Sequence, residues 1–283
     1  MRDLEGGLAV ITGGASGIGR ALADVFAQAG MRLLIADIEP AALDSAVAAL
    51  RGSGVDAHGQ VTDVASPGAV EALAAAAGEV DVLCANAGVM QPVGPIWERP
   101  LADYEWVLGV NTWGVVHCVR SFVPRMLERR RPAHIVITAS MSGLTVVPGN
   151  GPYQMSKHAS LALAETLFHE LADTPIGVSV LCPGFVPTRI AEAERNRPAG
   201  LRADGAPAAR PMSGGWSGAT EALQATAVEP SEIAARVLEA VREERFWILT
   251  HRNARQRVAA RLERILDGTD PRIDHGLGAE EDE

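Results

Sequence analysis

Short apolar runs recur along the chain at Leu8–Thr12, Leu33–Ala36, Ala57–Val61, Val80–Ala85, His134–Thr138, Val178–Leu181 and Phe246–Leu249. They read as strands that are apolar on both faces and therefore covered on both sides. Between them the spacing turns helical. Ala21, Leu22, Val25 and Phe26 fall on one stripe before Gly30, and Pro40 opens a second helix that runs to about Leu50, with Gly52 beyond its end. Strands of this kind alternating with helices predict an α/β fold: a doubly wound, parallel sheet of about seven strands with helices on both faces. In such sheets ligands sit beyond the C-terminal ends of the strands. The 283 residues fit a single domain of this type.

One long stretch breaks the pattern. From about 190 to 229 the chain carries Pro198, Pro207, Pro211 and the run Gly214-Gly215-Trp216-Ser217-Gly218, without a period until Thr220–Thr226. A segment of this length without regular pattern reads as a functional lid or as disorder. The final residues, about 270–283, close on Glu280-Glu281-Asp282-Glu283 and read as a flexible, solvated acidic tail.

Composition then removes whole classes of function. Hydrophobic residues make up 47% and charged residues 21%, ample for a buried core. With 25 basic against 35 acidic residues the net charge is −10, so bulk attraction to a phosphate backbone is absent and nucleic acid is not an expected partner. Cys84, Cys118 and Cys182 stand far apart with no close pair, which is neither a disulfide framework nor a zinc site. No signal-peptide core opens the chain, and no apolar run approaches the ~18 residues of a membrane span. The expectation is a cytoplasmic protein with no membrane partner and no metal.

The candidate chemistry lies where strands give way to loops. Leu8–Thr12 is followed at once by Gly13-Gly14-Ala15-Ser16-Gly17-Ile18-Gly19 and then by the first helix. A glycine-rich turn in that setting lets backbone N–H groups approach a pyrophosphate at the positive end of the helix. Asp37 follows Gly19 by 18 residues, where ribose recognition wants a carboxylate. A methyltransferase shares such a start. A carboxylate accepts hydrogen bonds from ribose hydroxyls and repels a 2′-phosphate, which favours NAD over NADP, although Arg20 lies close enough to soften the preference. Further on, Tyr153 and Lys157 are four positions apart in a helical stretch and share one face. An ammonium beside a phenol favours the phenolate; a surface helix pair shows the same spacing. Ser140, 13 residues before Tyr153, stands just past a strand end, where it can donate to a substrate oxygen or serve as a turn residue.

Together these residues resemble the compact, single-domain branch of the short-chain dehydrogenase/reductase family. The matches are Thr12-Gly13-x-x-x-Gly17-x-Gly19, Asp63-Val64, Asn86-Ala87-Gly88, Asn111, Ser140, Tyr153-x-x-x-Lys157, and Pro183-Gly184 with Thr188. They run in the family's order over Leu8 to Thr250, about 85% of the chain. The resemblance implies a Rossmann fold and hydride transfer between a nicotinamide cofactor and an alcohol or ketone. It makes Tyr153 the acid/base, has Ser140 polarise the substrate oxygen, and has Lys157 hold the nicotinamide ribose and depress the tyrosine. Asn111 would order a water in a proton relay. Thr12, Gly13, Ser16, Gly17, Ile18 and Gly19 would cradle the cofactor's phosphates, Asp63 and Val64 would bracket the adenine, and Asn86, Ala87 and Gly88 would line the cleft. Pro183, Gly184 and Thr188 would complete the nicotinamide end, with Thr188 on the carboxamide. A homotetramer or homodimer is implied, packed through the long helices around Asp103–Arg129 and Tyr153–Leu171. Ala85-Asn86 stands where the family often has two asparagines.

Substrate selectivity is less legible. Met90, Met141, Ser142 and Val147 to Asn150, with Met212 and Trp216 of the lid, are the expected pocket walls; they are mostly apolar, and no Arg or Lys is fixed at the pocket by sequence. The expectation is a hydrophobic secondary alcohol or ketone, such as a steroid-, terpenoid- or polyketide-like molecule. Two other readings share parts of the pattern. A non-catalytic dinucleotide-binding regulator would have lost part of the catalytic set, which this chain retains. A sugar epimerase or dehydratase of the extended branch has a different glycine spacing and a larger C-terminal part. His158 reads as a packing or surface residue, His117, His169 and His251 are scattered with no metal-ligand spacing, and Arg129-Arg130-Arg131 reads as a solvated helix end.

Overall fold

The computed structural model describes residues 3–202 and 226–272. Among these, seven strands form one sheet: β1 (Leu8–Thr12), β2 (Arg32–Asp37), β3 (Ala57–Val61), β4 (Val82–Ala85), β5 (Ala133–Thr138), β6 (Ile176–Cys182) and β7 (Trp247–Leu249). Their order is β3-β2-β1-β4-β5-β6-β7, and every pair is parallel. The chain winds outward from β1 to β3, then returns beside β1 as β4 and winds the other way. The crevice between the C-terminal ends of β1 and β4 is the topological switch point, where such sheets bind ligands.

Successive residues of a strand point to opposite faces, and here each face has its own core. Val10 packs with Leu34, Leu83 and Ile135 under α3 (Pro67–Ala77), α5 (Gly114–Arg129) and α6 (Gly151–Glu170). Its neighbour Ile11 packs with Ile35, Cys84 and Val136 under α1 (Gly17–Gln28), α2 (Pro40–Gly52) and α7 (Pro230–Glu243). Phe122 and Phe26 are fully buried, one in each layer. Truncation of either to Ala is expected to cost about 3–5 kcal/mol.

Several elements depart from the sequence-based expectation, each for a physical reason. β3 is an edge strand: His58, Gly59 and Val61 are exposed and only Ala57 is buried, so it is not apolar on both faces. The predicted fourth strand starts two residues late: the Val80 carbonyl is turned to Arg129, while Asp81 bonds β1 and β5 through its backbone just ahead of the strand. Arg129 donates to the Val80 carbonyl at 2.8 Å and to Asp81 Oδ1 at 2.6 Å, while Asp81 Oδ2 accepts from the Leu8 N–H at 2.8 Å. Arg129 is therefore not a solvated helix end but a buried tie between α5 and the foot of β4. The single helix expected around Asp103–Arg129 is divided into α4 (Leu101–Leu108), a π-helical turn at Gly109–Trp113, and α5. Such turns widen a helix locally and occur often at functional sites.

The first part of the predicted lid has regular structure. Arg189–Asn196 and Ala199–Leu201 are 3-10 turns. Arg195 binds Glu39 Oε1 at 2.6 Å and Arg197 binds Asp103 Oδ1 at 2.6 Å, tying the two ends of the segment to the loop after β2 and to α4. The remainder of the lid, with Met212 and Trp216, lies outside the described residues, as does the tail beyond residue 272. α8 (Ala254–Leu266) closes the described chain.

Candidate active site

A cavity of about 970 Å³ runs along the C-terminal edge of the sheet, from Asp37 past the glycine turn to Tyr153 and Leu201. At its first end the β1–α1 turn is shaped by what glycine permits. Gly13 has φ +64°, a left-handed conformation, and a Cβ there would meet the Ala87 backbone at 2.9 Å. A Cβ at Gly19 would collide with the Gly13 carbonyl. The turn thus lies flat against the start of α1, with Gly13, Ser16, Gly17, Ile18 and Gly19 open to the cavity. Thr12 does not reach it. Its buried hydroxyl donates to the Cys84 carbonyl and accepts from the N–H groups of Asn86 and Ala87, so it welds β1 to the loop after β4.

Asp37 ends β2 and is 8% exposed. Its carboxylate accepts from the Ala15 N–H at 3.0 Å and the Glu39 N–H at 3.1 Å, which fixes its orientation towards the cavity while leaving acceptor capacity unused. Asp63 and Val64 form the wall of the same end. Arg20 is turned to Asp24 at 3.1 Å. The cations at this end come instead from the lid: Arg189 and Arg195 line the cavity, and Arg195 is engaged by Glu39. That guanidinium holds the Glu39 carboxyl below the usual carboxylate range. A pair 156 positions apart carries no local sequence signal.

At the other end Ser140, Tyr153 and Lys157 converge. Ser140 leaves β5 in extended conformation and caps the short 3-10 turn Met141–Gly143, its Oγ accepting from the Ser142 N–H at 3.0 Å. Tyr153 and Lys157 project from one face of α6, with Lys157 Nζ 5.7 Å from the Tyr153 ring centre. Lys157 is 3% exposed and donates to the Thr138 carbonyl at 2.9 Å. Burial lowers it to about 8, opposed by the neighbouring Cys182 thiol. Burial also raises the Tyr153 phenol above its ordinary value, and a hydrogen bond with Ser140 pulls the other way. Burial of the phenol thus opposes the depression that the resemblance assigns to Lys157.

Asn111 sits in the π-helical turn, beneath the cavity rather than in its wall. Its Oδ1 accepts from the Val89 N–H at 2.8 Å, and Nδ2 donates to the Val89 carbonyl and to Ser156 Oγ, each at 2.9 Å. Its backbone carbonyl accepts from Ser160 Oγ at 2.9 Å. With those bonds Asn111 braces the loop after Asn86 against α6. Asn86, Ala87, Gly88, Pro183, Gly184 and Thr188 all open on the cavity, as do Met90, Met141, Ser142, Val147 and Asn150. Arg257 of α8 is also in the wall, its Nη2 3.2 Å from Thr145 Oγ1. The expectation of a pocket without a placed cation is corrected by that residue. Among the described residues no group of His, Cys, Asp or Glu is arranged to hold a metal ion, and no helix is long and apolar enough to cross a membrane.

Comparison with known proteins agrees with this geometry. The family model described as short chain dehydrogenase matches residues 7–199. A 1-deoxy-11-beta-hydroxypentalenate dehydrogenase of Streptomyces avermitilis is 41% identical over 260 residues, covering 90% of this chain and 88% of that protein. A C alpha-dehydrogenase of a Sphingobium species is 34% identical over 284 residues, covering 96% of this chain and 89% of the other. Among solved structures, a short chain dehydrogenase/reductase from Burkholderia phymatum in complex with NAD superposes with a TM-score of 0.89 at 42% identity, over 96% of this chain and 99% of that one. The family model, relatives that span nearly the whole chain and a solved structure of the same fold thus agree, and the protein belongs to the short-chain dehydrogenase/reductase family as an oxidoreductase of its compact, single-domain form.

Proposed function

We propose that the protein is an NAD-dependent dehydrogenase that interconverts a hydrophobic secondary alcohol and its ketone. The observation that carries this reading is one continuous cavity that joins the glycine turn and Asp37 to the hydroxyls of Ser140 and Tyr153 above Lys157. The residues present fit a dinucleotide. The glycine turn, packed so closely that a Cβ at Gly13 or Gly19 would strike protein backbone, lines the cavity at the N-terminus of α1, and Asp37 is pre-oriented with acceptor capacity to spare. The cofactor, when bound, supplies the hydride acceptor or donor.

The chain's own residues supply the rest. Gly13 to Gly19 hold the phosphates at the N-terminus of α1, and Asp37 accepts from the adenosine ribose. Asp63 and Val64 bracket the adenine, while Asn86, Ala87 and Gly88 line the cleft. Pro183, Gly184 and Thr188 serve the nicotinamide end, and Lys157 holds its ribose. Ser140 Oγ orients the substrate oxygen, and Tyr153 Oη gives or takes its proton. In the chain alone Tyr153 keeps that proton, the form that donates to a ketone. Alcohol oxidation needs positive charge beside the phenol, and Lys157 is the chain's own source of it. NAD is favoured over NADP because Asp37 faces the ribose position while Arg20 and Arg195 are each engaged by an acid.

The apolar walls at Met90, Met141 and Val147 support a hydrophobic substrate, and the hydroxypentalenate dehydrogenase relative supports a terpenoid-like one. Trp113, 57% exposed, and Met155, 55% exposed, support packing of this helical face against a second copy in a homodimer or homotetramer. Three buried free cysteines support a reducing, cytoplasmic location. The test is a panel of hydrophobic secondary alcohols, sugars and polar hydroxy acids with NAD or NADP, followed by nicotinamide absorbance. Turnover confined to the hydrophobic alcohols with NAD is expected; turnover of the polar compounds alone overturns the substrate reading.

A further inference from the structure

His251 follows β7 and lies behind the cavity, 8% exposed, touching the loop that leaves β6. The Gly184 N–H lies 3.0 Å from His251 Nδ1, and His251 Nε2 lies 2.9 Å from the Phe185 carbonyl. A backbone N–H only donates and a carbonyl only accepts, so Nδ1 must be unprotonated and Nε2 must carry the proton. The two partners together demand a single neutral tautomer. Thr250 Oγ1, 2.9 Å from Nδ1, is compatible with it because a hydroxyl can donate. The ring lies flat on the turn: a Cβ at position 184 would meet its carbons at 2.9 Å, so only glycine admits it.

The turn in question reaches the chemistry. Gly184 and Phe185 line the cavity, and the preceding Pro183 carbonyl accepts from the Met141 N–H at 2.8 Å and from Ser140 Oγ at 3.4 Å. We propose that His251 is a positioning residue whose neutral imidazole holds the Pro183–Phe185 turn, and through it Ser140, so that its protonation releases the turn and lowers hydride transfer. The imidazolium would set an Nδ1–H against the Gly184 N–H, donor facing donor. This inference rests on the reading of the cleft as a dehydrogenase site.

The charged groups around the ring oppose its protonation. Arg236 of α7 donates to the Thr250 carbonyl at 2.6 Å, and Arg257 of α8 adds a second cation acting on the ring; the acid Glu232 of α7 is bound to Arg236 at 2.5 Å. Burial, with those two cations, holds His251 below the ordinary imidazole value, against the pull of the Phe185 carbonyl and Glu232. At neutral pH the clamp is therefore closed, and it opens only in acid.

Two measurements test this. Nitrogen NMR of the wild-type protein reads the tautomer and its protonation without cofactor or substrate: an Nε2–H ring that takes up its second proton only below the ordinary imidazole value of about 6.5 is expected, and a ring still cationic above that value, or an Nδ1–H ring, overturns the proposal. The pH dependence of kcat for ketone reduction, the direction in which Tyr153 is needed protonated and adds no acid limb of its own, is then compared with that of His251→Gln, which keeps a donor and an acceptor but cannot become a cation. The wild type is expected to lose kcat on the acid side while the variant keeps a flat acid limb, with NADH affinity unchanged to within about threefold. His251→Phe, which removes both bonds, is expected to lose about 100-fold in kcat, the scale of a 1 Å misplacement. An acid limb identical in wild type and His251→Gln overturns the inference while leaving the dehydrogenase intact. A wild type that binds NADH but turns over no alcohol overturns the reading beneath it.

Discussion

Replacing Asp37 by Ala separates the bonds this side chain makes within the turn from the ribose contact proposed for it. The carboxylate accepts from the N–H groups of Ala15 and Glu39, and it is aimed at the cavity where an adenosine ribose would lie. Loss of the two backbone bonds loosens the glycine turn and weakens both dinucleotides alike. Loss of the ribose bonds affects NADH alone, because a 2′-phosphate cannot use them. A hydrogen bond to a charged group contributes about 1.5–3 kcal/mol, so NADH affinity is expected to fall about 10- to 150-fold through that term. NADPH escapes this loss and is also relieved of charge repulsion. The ratio of the two dissociation constants, read by fluorescence titration, therefore isolates the carboxylate–ribose interaction and is expected to shrink at least about tenfold. Asp37→Asn keeps an acceptor for Ala15 and controls for the loosened turn. Equal weakening of both cofactors by Asp37→Ala, or a wild type that prefers NADPH, would refute this reasoning and turn attention to Arg189 and Arg195.

Two further outcomes follow from buried polar groups. His134, on the interior strand β5, is fully buried with Nε2 2.7 Å from Ser179 Oγ, and burial lowers it to about 4. The folded protein binds fewer protons there than the unfolded chain, so stability is present above about pH 6.5 and lost as pH falls towards about 4, by up to about 3 kcal/mol; urea unfolding across that range checks this, and His134→Gln should flatten the curve. Arg197 pairs with Asp103 with both side chains 4% exposed, and its guanidinium stacks 4.3 Å from the Trp106 ring centre. Arg197→Met leaves a buried acid with Arg99 3.6 Å away as its remaining cation, and is expected to cost about 3 kcal/mol and to blue- or red-shift Trp106 emission; a cost below about 1 kcal/mol would show that the pair does not hold the lid segment.

The fold was legible because each strand is short, apolar and followed by glycine or a polar turn, so local pattern and burial coincide. The exception, β3, lies at the sheet edge, where one covered residue suffices. Motif residues from Gly13 to Thr188 were legible because backbone and side-chain chemistry fixes their types at fixed spacing. What could not be read was contact between distant segments. Glu39 with Arg195, Asp103 with Arg197, and His251 with Gly184 are pairs of ordinary residues that only the fold brings together. The break in the helix at Gly109–Trp113 was equally silent, since Asn111 and its flanks satisfy a helical pattern and the widened turn is imposed by bonds to Val89, Ser156 and Ser160. Thr12 shows the converse, a motif residue whose chemistry is spent inside the protein rather than on a ligand.

The most direct test of the proposed chemistry is the rate of NAD reduction by a turned-over hydrophobic alcohol in wild type and Tyr153→Phe, with NADH binding measured on both. In the proposed reaction the hydroxyl of Tyr153, hydrogen-bonded with Ser140 at the cavity wall, exchanges the substrate proton. Its loss is expected to reduce kcat by about 100-fold or more, with NADH affinity within about threefold of wild type. A Tyr153→Phe protein that retains wild-type kcat would contradict the assignment of proton transfer to this residue.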